Sequence, residues 1–86
     1  METDDDKSFP CPCCGFLTMD EPTRGTFDIC VVCGWEDDEV QFNDPDCRGG
    51  ANHISLNEAR ANYSKFGAVK KESLPRVRPP RPDQIP

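Results

Sequence analysis

The sequence is short of the material from which a hydrophobic core is usually built. Of 86 residues only 35% are apolar and 8% aromatic, with one Trp and one Tyr. A core of that size does not by itself outweigh the conformational entropy lost on folding, so the chain needs a staple of another kind. Long apolar runs are missing too. The longest, Ile29-Cys30-Val31-Val32-Cys33, falls far short of the roughly 20 residues that span a bilayer, which excludes a transmembrane helix. The opening Met1-Glu2-Thr3-Asp4-Asp5-Asp6-Lys7 lacks the basic start and apolar stretch of a secretory signal, so the expected location is the cytoplasm. Histidine occurs once, as His53, just before a helix start where packing or a local hydrogen bond is its expected role.

Charge and cysteine are what the chain does have. Residues 1–46 carry thirteen acids and two bases, whereas residues 47–86 carry eight bases and three acids, within a net charge of −6. The halves can attract one another, or the basic end can meet an acidic partner. In a reducing compartment six cysteines point to metal before disulfides.

Spacing sharpens that reading. Cys11-Pro12-Cys13-Cys14-Gly15-Phe16 and Cys30-Val31-Val32-Cys33-Gly34-Trp35 are two copies of one pattern, C-x-x-C-G-aromatic. Two thiolates three positions apart grip one ion only where the backbone curls into a knuckle, and the glycine after each pair accepts the positive φ this requires. Cys11, Cys14, Cys30 and Cys33 are therefore the expected ligands of one zinc ion per chain, with iron the less favoured metal. Four thiolates leave no open position, so the site is structural and no catalytic residue is assigned. Cys13, beside a ligand, and Cys47, outside both knuckles, are expected to be plain free thiols.

Around the knuckles, Thr26-Phe27-Asp28-Ile29 and Val40-Gln41-Phe42 alternate as short strands do, and Glu36-Asp37-Asp38-Glu39 between them reads as a solvated acidic turn. Trp35, Phe16 and Phe27 are expected in the core over the metal. Ser55 and Glu58 form a capping box, and Leu56, Ala59, Tyr63 and Phe66 make one apolar stripe, so a helix is predicted over about 55–66 with Gly67 as its stop. Five prolines after Leu74 predict an extended tail.

These motifs resemble the cysteine-rich CPCC domain, a small, mostly bacterial family. The resemblance is carried by Cys11-Pro12-Cys13-Cys14, Cys30-Val31-Val32-Cys33-Gly34-Trp35-Glu36-Asp37-Asp38, Gly49-Gly50-Ala51-Asn52, Ser55-Leu56, Ala59, Asn62-Tyr63 and Phe66-Gly67, across about residues 9–69. It implies zinc binding and no particular activity. It also marks Trp35–Asp38 and Gly49–Asn52 as signature segments, either a binding surface or knuckle and turn geometry. Cys47 stands where relatives are expected to carry an aromatic residue.

The combined expectation is a small α+β, zinc-ribbon-like domain with rubredoxin-type knuckles at hairpin tips, one C-terminal helix packed across the sheet and an extended Pro-rich tail. Residues 1–8 form a disordered acidic lead-in, 9–69 the domain and 70–86 the basic tail. The expected function is a non-enzymatic, zinc-stabilised module that binds another protein. One alternative is a nucleic-acid-binding ribbon using Lys70, Lys71, Arg76, Arg78 and Arg81. Another is a small metal-dependent hydrolase using Glu36, Asp37, Asp38 and His53.

Overall fold

The computed structural model describes residues 9–19 and 27–86. The acidic lead-in and Thr26 lie outside the described residues. Strands β1 (Phe9–Pro10) and β2 (Leu17–Met19) pair antiparallel and flank the first knuckle. An irregularity in the pairing sets Phe9 opposite Met19 but Pro10 opposite Leu17. A bulge of this kind breaks strict alternation, and Thr18 and Met19 are accordingly both buried.

The second knuckle is closed by a single antiparallel bridge, Ile29 opposite Glu36. No strand forms over 27–29. Phe27 and Ile29, expected in the interior, are 57% and 64% exposed, and Phe27 sits at φ 62°. The strand expected at 40–42 is also replaced. Glu39–Asn43 form a helical turn, α1, because the Asp38 carboxylate accepts from Gln41 N and caps the first turn. Its buried residue is Gln41, whereas Val40 is exposed, the inverse of the strand expectation.

The predicted helix is found as α2 (Leu56–Phe66). Ser55 Oγ accepts from Glu58 N at 3.0 Å and Glu58 Oε1 accepts from Ser55 N at 2.8 Å, and Gly67 closes the helix at φ 90°. Leu56 and Ala59 enter the core with Trp35, Met19, Val32 and Val69, while Tyr63 packs at its edge with Phe16 in an edge-to-face pair at 6.5 Å.

The tail departs most from expectation. Two 3₁₀ turns, Lys71–Arg76 and Pro82–Gln84, interrupt the extended chain. Proline is tolerated in them because short 3₁₀ turns need few backbone donors. The segment also straps the second knuckle. Val69 N donates to Cys33 O at 2.8 Å, Arg78 N donates to Val31 O at 3.1 Å, and a Cβ on Gly34 would lie 3.2 Å from Ser73 Cβ. Gln84 is buried, its side-chain oxygen accepting from Arg81 N and Arg78 Nη1. Truncation after Ser73 is therefore expected to lower stability by about 2 kcal/mol, through one lost backbone bond and the uncovered apolar surface. Chemical denaturation of the truncated and full chains checks this. Among the described residues no helix is long and apolar enough to cross a membrane.

Candidate metal centre

The two knuckles have the same construction. Gly15 N donates to Cys11 O and Gly34 N to Cys30 O, each at 2.9 Å. Gly15 and Gly34 take φ of 82° and 90°, as the C-x-x-C-G pattern predicts. The curl turns backbone N–H groups onto sulfur: Cys13 N points to Cys11 Sγ, Val32 N to Cys30 Sγ and Trp35 N to Cys33 Sγ, each at 3.4 Å. Thr18 Oγ1, brought inward by the bulge, lies 3.0 Å from Cys30 Sγ. Donors aimed at sulfur favour thiolate over thiol.

The sulfurs of Cys11, Cys14, Cys30 and Cys33 all lie within 4.8 Å of one another. Across the knuckles, Cys11 and Cys33 are 3.6 Å apart and Cys14 and Cys30 are 3.7 Å apart. A tetrahedron with metal–sulfur bonds of about 2.3 Å has sulfur–sulfur edges of roughly 3.8 Å, so the four donors fit one ion. Their electrostatics suit a cation. Cys30 is the common acceptor, and hydrogen bonds from Cys11, then Cys14 and Cys33, hold its thiol far below the usual range. Cys11 is pushed far above it, first by its contact with Cys14. Four adjacent sulfurs cannot all ionise against one another, and a divalent cation removes that conflict. Cys11, Cys30 and Cys33 are buried and Cys14 half-buried. Cys13 gives this set its backbone N–H, and its sulfur is outside the four-sulfur group.

The two signature segments meet in a polar network beside the second knuckle. The Asp38 carboxylate accepts from Gln41 N through Oδ1 and from Ala51 N through Oδ2, at 3.0 Å each. Burial opposes its ionisation, but these backbone donors outweigh it and hold the carboxyl below its ordinary range. Gln41 donates to Cys47 O and Ile54 O and accepts from Asn52 N and Nδ2, which satisfies its whole amide. Asn52 in turn accepts from Glu36 N and donates to Glu36 O, each at 2.7 Å. Asp37 is buried as well, so the acidic turn expected to be solvated at 36–39 has its two central residues in the interior, with Glu36 half-buried and Glu39 exposed.

Gly50 is fixed by this network, because a Cβ there would lie 2.6 Å from Cγ, Cδ and Oε1 of Gln41. Gly50→Ala is expected to cost about 3 kcal/mol by overpacking an amide that cannot move without breaking its bonds, as a denaturant titration would read.

Among the described residues the hydrolase set does not appear as a group that could hold a metal ion. Asp38 caps α1, while His53 is exposed at φ 62° with its backbone N–H on Gly50 O. Cys47 is half-buried and contributes its carbonyl to Gln41. Sequence reasoning missed Thr18, Gln41 and Asn52. Asp38-x-x-Gln41 has the spacing of a capping box and was legible as one, whereas Asn52 was marked only as the end of a signature segment and Thr18 carries no local signal.

Comparison with protein families gives a match over residues 9–84 to the family described as "Cysteine-rich CPCC", running from β1 through the second 3₁₀ turn. A search of curated proteins found no match.

Proposed function

The chain belongs to the cysteine-rich CPCC family, and we propose that it is a zinc-ribbon-like, non-enzymatic module whose single zinc ion stabilises a surface for binding another protein. The observation that carries this is the gathering of four thiol sulfurs within 4.8 Å, a complete ligand set that leaves a bound ion no position for water or substrate. Zinc is favoured over iron on usual occupancy, since four thiolates suit either metal. The engagement of Asp38 by two backbone donors supports a structural role for the acidic segment.

The nucleic-acid alternative draws less support. Arg78 is held by Pro79 O and Gln84 Oε1, Arg81 pairs with Asp83, and Lys71 Nζ lies 5.9 Å from the centre of the Phe66 ring. Affinity capture with zinc-loaded protein, with a Cys33→Ser variant as control, tests the reading. Protein partners held only by the loaded form are expected. Capture of duplex or single-stranded DNA with a steep salt dependence would favour the alternative instead.

A further inference from the structure

Beside the second knuckle lies a groove of about 340 Å³, lined by Ile29, Val31 and Glu36 and by Lys70, Arg76 and Val77 of the tail strap. Three features make it more than a surface depression. The bridge between Ile29 and Glu36 is of the type in which the flanking residues exchange the bonds: Cys30 N donates to Trp35 O and Asp37 N to Asp28 O. That geometry turns the N–H and C=O of Ile29 away from Glu36, toward the outer edge, where they find no hydrogen-bond partner among the described residues. The same edge already accepts one rung of backbone pairing, because Arg78 N donates to Val31 O. Finally, in a chain of net charge −6, the side chains of Lys70 and Arg76 line this groove without an ion-pair partner among the described residues.

We infer that this groove receives an extended acidic peptide segment of another protein, added as a strand along the Ile29 edge. The inference rests on the binding-module reading above and names its partner class. Main-chain bonds to Ile29 supply the docking. Apolar side chains of the segment rest on Ile29, Val31 and Val77, and its carboxylates meet Lys70 and Arg76. Lys70 and Arg76 repel a basic segment, and Glu36 is the one opposing carboxylate in the groove.

The probe is a blocked eight-residue peptide of alternating valine and glutamate, titrated into isotopically labelled, zinc-loaded full-length protein and followed by amide chemical shifts. Shifts centred on residues 29–31 and 70–77 are expected. Affinity should fall at least tenfold both when alternate peptide nitrogens are methylated and in a Lys70→Glu, Arg76→Glu variant whose zinc content and melting temperature match the parent. Equal or tighter binding of a valine–lysine peptide would overturn the inference. So would shifts produced by concentrating the protein alone, which would put a second copy on the edge, or an absence of shifts in the groove. Those results leave the module reading standing if the affinity capture above still yields a protein partner, and that reading falls separately if it yields none.

Discussion

Cys33→Ser is expected to abolish the cooperative fold. A structural tetrathiolate zinc site contributes on the order of 10 kcal/mol or more, and a domain of this size has a total stability of about 5 to 10 kcal/mol. Removing one ligand therefore takes away more than the rest of the structure supplies. Cys33 is the extreme case because it is fully buried and two other contacts depend on it. Its sulfur receives Trp35 N, and its carbonyl receives Val69 N from the strap. Serine there leaves a weak ligand and a buried hydroxyl, so loss of metal and loss of tertiary structure should coincide. Dispersion of amide resonances, read with metal content, checks it. Stripping the metal from the parent with a chelator should produce the same spectrum. Cys47→Ser should change neither, because its sulfur lies outside the four-sulfur group.

Trp35→Ala is expected to cost about 4 kcal/mol, in the upper range for a fully buried aromatic. Trp35 sits in the core with Cys11, Cys30 and Cys33 and is the largest fully buried side chain among the described residues. If metal binding and folding are one equilibrium, as proposed for this site, that loss should appear as roughly a thousandfold weaker metal affinity in chelator competition. Trp35→Phe should be milder, about 2 kcal/mol. It keeps most of the ring contact and removes an indole Nε1 that has no hydrogen-bond partner among the described residues. Equal losses in the two variants would mean that the indole nitrogen, and not the packing, holds the knuckle.

What could be read in advance was what short-range chemistry specifies. Each C-x-x-C-G unit contains its own reason for curling, and Ser55 with Glu58 contains its own reason for starting a helix, so both were legible before any tertiary contact was known. The family resemblance rested on those same residues. The misreadings fell where one local pattern has two physical uses. Val40-Gln41-Phe42 alternates like a strand, but three residues cannot separate a period of two from a turn of helix, and the Asp38 cap decides for helix. Asp37 and Asp38 look like solvated charge because the Ala51 amide that helps to satisfy Asp38 comes from elsewhere in the chain, beside the local cap bond from Gln41. The prolines of the tail excluded long helices correctly, yet nothing in their spacing revealed that Gln84 would be buried or that Arg78 would reach Val31. Thr18 reaches Cys30 only because of a bulge, which has no signature in Leu17-Thr18-Met19.

The account turns on one metal ion held by Cys11, Cys14, Cys30 and Cys33. X-ray absorption at the metal edge, with metal content per chain, on the parent, Cys13→Ser and Cys14→Ser tests it most directly. The account predicts one zinc with four sulfur neighbours at about 2.3 Å in the parent and in Cys13→Ser, and loss of that shell in Cys14→Ser. Nitrogen or oxygen neighbours in the parent, or an intact four-sulfur shell in Cys14→Ser with its loss in Cys13→Ser, would contradict it.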